Sequence, residues 1–219
     1  MKKTDIKALA VTSILAAAGF LLTFVCSFRV SFLTFDFKDA VIALASLIYG
    51  PLYGVAASAT VAFLEFITFS QTGVYGLIMN FLASGTFSLV CGYIYKHKRT
   101  FSGAILSLVF AAVSVIAVMI TANIFITPFY MGVERSAVIK MILPLLLPFN
   151  AAKTVINASF TMLLYKPFTN ALKRMNIIKS GGNSSFSLRT VIMSVVCVIL
   201  IVLAILGVTL GLHGVFEIF

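Results

Sequence analysis

Apolar residues fall along this chain in long blocks, separated by short stretches rich in charge, glycine or proline. A helix that crosses hydrocarbon needs roughly 20 consecutive apolar residues, fewer where it is short or partly buried. The blocks predict a first helix over 7–28, followed by a polar stretch over 29–38. A second helix, 39–49, is stopped by the Gly50-Pro51 turn, and a third runs over 52–69. Both are short. Ser70-Gln71-Thr72-Gly73 reads as a loop. A fourth helix over 74–95 stops at Lys96-His97-Lys98-Arg99, and a fifth over 101–125 ends near Pro128. After a loop with Glu134, Arg135 and Lys140, a sixth runs over 142–165. Residues 166–188 are polar, and Ser180-Gly181-Gly182-Asn183-Ser184-Ser185 reads as flexible. A seventh apolar block covers 189–212. The predicted fold is all-α, a polytopic membrane bundle of six core helices plus one. The division expected is a six-helix unit over 1–175, a linker over 176–188 and an added transmembrane helix over 189–212.

Composition agrees with a membrane protein. The chain is 61% hydrophobic and 10% charged, with a mean hydropathy of +1.14, whereas a soluble domain is nearer half apolar and a quarter charged. The net charge of +10 follows topology instead of a nucleic-acid surface, because no basic stripe alternates with stacking aromatics. The 21 phenylalanines lie mostly inside the apolar blocks. With the N-terminus in the cytoplasm, eleven cations fall inside: Lys2, Lys3, Lys7, Lys96, Lys98, Arg99, Lys166, Lys173, Arg174, Lys179 and Arg189. Four fall outside: Arg29, Lys38, Arg135 and Lys140. Positive residues favour the cytoplasmic side, so a cytoplasmic N-terminus in the cell membrane is expected. The first helix lacks a small-residue cleavage motif and reads as an anchor.

Catalytic constellations are missing. His97 and His213 have no serine, cysteine or carboxylate partner at depth, so enzyme chemistry is not expected. Cys26, Cys91 and Cys197 lie in separate blocks without a CxxC or Cys/His cluster, which argues against a metal site. No Walker A motif is present, so active transport would draw energy from a partner.

What stands out is polar chemistry inside the apolar blocks. Lys153 interrupts Leu145–Ile156, and an ammonium there is costly unless it faces a partner, a ligand or a water-filled cavity. Asn150, three residues earlier, shares its helical face. Asn123, Glu65 and Asn80 lie in other helices, and Gln71 and Thr72 in the loop between helices three and four. All but Asn80 belong clearly to the outer half, which fits a pocket open to the outside. Amide and lysine donors suit the acceptors of a planar heterocycle, with Phe149, Phe125, Tyr130 and Tyr75 as apolar walls. Blander readings stand beside these. Lys153 snorkels to a headgroup; Asn80 bonds across helices; Glu65 sits at headgroup level or pairs with Lys153. On the first helix, Ala8, Thr12 and Ala16 form a small-residue face, with Ser13 and Ala17 beside it, suited to internal packing or to docking another membrane protein.

These residues resemble those of the substrate-binding S components of energy-coupling factor (ECF) vitamin transporters, most of all the riboflavin-specific type. The resemblance is carried by Asp39 with Gly50-Pro51-Leu52-Tyr53-Gly54, by Thr72-Gly73 leading to Gly76 and Asn80-Phe81, by Asn123 with Thr127-Pro128 and Tyr130, and above all by Leu147-Pro148-Phe149-Asn150-Ala151-Ala152-Lys153. It covers residues 5–175. It implies six helices, vitamin capture from outside, no resident cofactor, and partnership with a membrane-embedded coupling subunit and two cytoplasmic ATPases. It implies that Asn123, Asn150 and Lys153 bond the isoalloxazine ring, that the 30–38 loop closes over the vitamin, and that Ala8, Thr12 and Ala16 meet the coupling subunit. The chain departs from the family pattern at Leu77, where members often carry a polar residue, and in its seventh helix. The alternatives are an S component for another vitamin, such as folate, and a membrane scaffold whose polar groups are interhelical glue.

Overall fold

The computed structural model describes residues 3–177, 188–211 and 216–217. Helix α1 (Lys3–Cys26) leads into a hairpin of β1 (Phe28–Val30) and β2 (Leu33–Phe35). Next come α2 (Lys38–Tyr49), α3 (Pro51–Thr68), α4 (Gly73–His97), α5 (Phe101–Met131) and the short α6 (Arg135–Lys140). One π-helical turn (Ile142–Leu146) feeds directly into α7 (Leu147–Arg174). Then follow α8 (Leu188–Gly211) and β3 (Phe216–Glu217).

The short second helix is the centre of the bundle. α2 packs against α1, α3, α4 and α7, and its residues from Lys38 to Leu47 are all buried. Twelve residues make a helix only ~18 Å long, less than the ~30 Å of hydrocarbon. Gly50, at φ 110°, ends α2 in a conformation that favours glycine, and Pro51 starts α3 where its missing N–H costs nothing. Gly92 of α4 lets this corner approach: a Cβ there would lie 2.8 Å from Pro51 Cα. Around α2, the pairs α3–α4, α4–α5, α5–α7 and α7–α8 pack in series, and α1 closes on α2 and α3.

Among the described residues, four helical stretches are long and apolar enough to cross a membrane: Ile6–Cys26, Pro51–Thr68, Gly73–His97 and Phe101–Met131. α7 is 28 residues long, but its buried face carries Asn150, Lys153, Thr154, Asn157 and Thr161. A polar face of this kind belongs inside a bundle.

Several sequence expectations change. α5 continues through Pro128 and stops at Gly132, which adopts the left-handed conformation at φ 65°. The sixth predicted helix begins as the π turn and extends to Arg174. Most of the expected linker, residues 178–187, lies outside the described residues. The polar stretch after α1 is a hairpin, not a loop, with Ser31 at φ 56° in its two-residue turn. The expected docking face of α1 points inward: Ala8, Thr12 and Ala16 are buried within the chain. Ala16 packs with Ile42 of α2 and with Ala57 and Val61 of α3. Small residues there let α1 approach its own neighbours closely.

Candidate functional site

A cavity of about 550 Å³ opens at one end of the bundle. α1, α3 and α5 end there, and α2, α4 and α7 begin there. The volume lies within the usual range for small-molecule sites. The hairpin forms its roof, with Arg29, Ser31, Phe32, Leu33 and Thr34 all lining it. At the hairpin tip, Phe32 meets Tyr130 edge-on with ring centroids 6.1 Å apart, and Tyr130 in turn lies 6.1 Å from Tyr75. Behind the roof, Phe28 stacks on Phe35 at 4.8 Å, and Phe35 meets Phe149 of α7 edge-on at 5.8 Å.

All eight residues singled out for ligand contact line this one cavity: Asn123, Asn150, Lys153, Asn80, Glu65, Thr72, Phe149 and Tyr130. Gln71 and Tyr75 line it too. Phe125 does not; it faces the opposite side of α5, where the Arg135 guanidinium sits 4.9 Å above its ring.

Local helix chemistry sets the two asparagines. Asn123 Nδ2 donates to Met119 O at 2.7 Å and its Oδ1 accepts from Thr127 Oγ1 at 2.8 Å. Asn150 Nδ2 donates to Leu146 O at 2.7 Å. Both amides are thus held against their own helix, at the cavity wall.

The charged residues form a buried chain of ion pairs. Lys153 Nζ donates to Asp36 Oδ2 at 2.8 Å and to Thr34 O at 3.1 Å, so α7 holds the far end of the hairpin. Lys38, at the first turn of α2, lies 3.6 Å from Asp36 Oδ2 and 2.7 Å from each carboxylate oxygen of Glu65. Asn80 Nδ2 completes the carboxylate at 2.7 Å from Glu65 Oε2. Asp39, beside Lys38, accepts from Ser84 Oγ. Glu65 therefore pairs with Lys38, not with Lys153 as the sequence allowed. Lys153 is only 9% exposed and its ammonium is bonded within the bundle, so it does not snorkel. Asn80 does bond across helices, and it faces the cavity as well. Buried charges are tolerated only when paired and hydrogen-bonded; each charge in this chain has a partner, although Asp36 Oδ1 is buried without a hydrogen bond.

Three residues of this network escape a reading of the sequence alone. Asp36 and Lys38 sit in a polar stretch that reads as solvated, and Lys38 is the outside cation that proves to be buried. Asn157 is the third. Its Oδ1 accepts from Ala40 N at 2.9 Å, and its Nδ2 donates to Asp36 O and to Lys153 O, each at 3.0 Å. α2 has no side-chain cap of its own, so Asn157 supplies from α7 the acceptor that an N-cap residue would provide. The available signal was spacing: Asn150, Lys153 and Asn157 recur on one helical face.

The resulting site is a pocket at one end of the bundle with polar side chains set among apolar and aromatic walls, suited to holding a flat, polar small molecule. Among the described residues no cluster of three or more metal-ligating side chains occurs.

Comparison with known proteins agrees. Residues 7–165 match the family model described as the substrate-specific component of ECF transporters. The riboflavin transporter RibU of Staphylococcus aureus (strain TCH60) is 32% identical over 178 residues, an alignment that takes in 77% of this chain and 94% of that protein. The riboflavin transporter FmnP of Bacillus subtilis (strain 168) is 31% identical over 174 residues, covering 74% of this chain and 92% of that one. A solved structure of the S component of a bacterial ECF transporter superposes with a TM-score of 0.66 at 32% identity, covering 78% of this chain and 99% of that one.

Proposed function

The chain belongs to the substrate-specific components of ECF transporters, and from that premise we propose that its cavity captures riboflavin for uptake. The observation that carries this reading is the meeting of Asn123, Asn150 and Lys153 on one cavity beneath the hairpin. The two relatives named as riboflavin transporters support the choice of vitamin.

The chemistry fits a flavin. The isoalloxazine ring is planar and apolar on its faces, which suits Tyr75, Tyr130, Phe149 and Phe32 as walls. Its polar edge alternates carbonyls with an imide N–H. Lys153 donates to a carbonyl, while the amides of Asn123 and Asn150 offer both donors and acceptors. The ligand replaces the backbone carbonyls that these amides now bond, so little desolvation is left uncompensated. The ribityl hydroxyls find partners among Gln71, Thr72, Asn80 and the hairpin backbone.

The protein is a multi-pass membrane protein that works with an energy-coupling module. The module proposed is a membrane-embedded coupling subunit with two cytoplasmic ATPases. The charge distribution supports a cytoplasmic N-terminus, which puts the cavity on the outer face. In this reading the protein carries no resident cofactor and catalyses no reaction; riboflavin is cargo.

The test is to purify the full chain in detergent from cells supplied with riboflavin and to identify the bound small molecule. A yellow protein with one flavin per chain supports the proposal. A colourless protein carrying folate or another vitamin contradicts it.

A further inference from the structure

The strand β3 lies against the hairpin that roofs the cavity. It pairs antiparallel with β1, with Arg29 opposite Glu217 and Val30 opposite Phe216. β1 is therefore the central strand of a three-stranded sheet in the order β2-β1-β3. Two strands of three residues each hold together poorly alone; a third strand and an apolar face are what stabilise such a unit. The C-terminal segment provides the third strand and adds to the apolar packing that α7 supplies. Ile201 and Ala204 of α8 pack on the apolar cluster that joins Val30 and Phe35 of the hairpin to Phe149 and Ile156 of α7. α8 lies along α7, and Cys197 of α8 is buried. The roof is thus held from α7 through Lys153 and along its edge by β3, while α8 packs on the apolar cluster behind it. Both α8 and β3 lie beyond residue 165, where the family match stops.

We propose that α8 and β3 form a fastener that keeps the β1–β2 hairpin shut over the cavity and sets how fast the vitamin enters and leaves. The proposal rests on the reading of the cavity as a riboflavin site. The hairpin must move for a molecule beneath it to pass, because Arg29, Ser31, Phe32, Leu33 and Thr34 form the roof. Among the described residues, none from α8 lines the cavity. The fastener therefore acts on the roof and not on the ligand. It opposes opening equally whether the cavity is empty or filled, so it slows entry and exit together and leaves the dissociation constant nearly unchanged.

Two full-length variants test this. Phe216→Pro combined with Glu217→Pro removes the backbone donors of β3. Ala204→Trp forces α8 off the cluster by bulk alone. Amide hydrogen exchange of Phe28, Arg29 and Val30 is measured on ligand-free protein, and riboflavin association and dissociation are followed by stopped-flow fluorescence. Both variants should exchange faster at β1. Both should bind and release riboflavin about tenfold faster, with the dissociation constant held within about twofold. Unchanged exchange together with unchanged rates overturns the fastener. So does a change in affinity through dissociation alone, which would make the segment part of the site. If the unmodified protein does not bind riboflavin, the ligand assignment fails, and hydrogen exchange still decides whether the segment holds the roof.

Discussion

Lys153 and Asp36 meet across 117 residues of sequence, with Nζ 2.8 Å from Oδ2. The pair ties the start of α7 to the end of the hairpin, so the residue proposed to touch the ligand also anchors the roof above it. Removing one partner of a buried pair leaves the other uncompensated, at a cost of roughly 3–5 kcal/mol. Lys153→Met should therefore lower the thermal unfolding temperature in detergent, with Lys38 at 3.6 Å offsetting part of the loss. Adding Asp36→Asn should restore much of it. A single variant as stable as the unmodified protein would mean that the pair does not hold the roof.

Lys38 and Glu65 link α2 to α3 with both carboxylate oxygens at 2.7 Å. Glu65→Leu should destabilise the bundle by about 3 kcal/mol, since it leaves Lys38 only the longer contact to Asp36 and also removes the partner of Asn80. Lys38→Met joined to Glu65→Leu should be milder than either change alone. Thermal unfolding of the three variants forms a double-mutant cycle, and purely additive losses would count against a direct pair.

Asn157 caps α2 from a neighbouring helix without lining the cavity. Asn157→Leu leaves the Ala40 N–H and the Asp36 carbonyl without these partners, each costing roughly 1–3 kcal/mol. Stability should fall, while the protein that remains folded binds one ligand per chain. Unfolding curves read beside ligand stoichiometry check this; loss of stoichiometry at full stability would place Asn157 in the site.

Ala16 packs against Ile42, Ala57 and Val61. Ala16→Trp should lower the unfolding temperature, because overpacking typically costs about 1–3 kcal/mol or more. A variant that unfolds at the original temperature would show that this face of α1 is free.

The parts of the site legible in the sequence are those where a polar residue breaks an apolar block. Lys153, Asn150 and Asn123 stand out there because hydrocarbon makes them costly. Asp36 and Lys38 give no such signal, since charges in a polar stretch are usually solvated. They are buried only because the hairpin folds back onto the bundle, a tertiary event. The small-residue face of α1 misled for a related reason. Close approach needs small residues equally against the chain's own helices and against a partner, and spacing does not tell one from the other. Pro128, expected to end the fifth helix, lies inside α5, and Pro148 sits in the first turn of α7.

Riboflavin capture is tested most directly by a fluorescence titration of the ligand-free protein with riboflavin. Flavin emission should be quenched on binding, and the quenching should saturate at one riboflavin per chain. An unquenched titration, with folate or thiamine binding in its place, would contradict the assignment of this cavity to riboflavin.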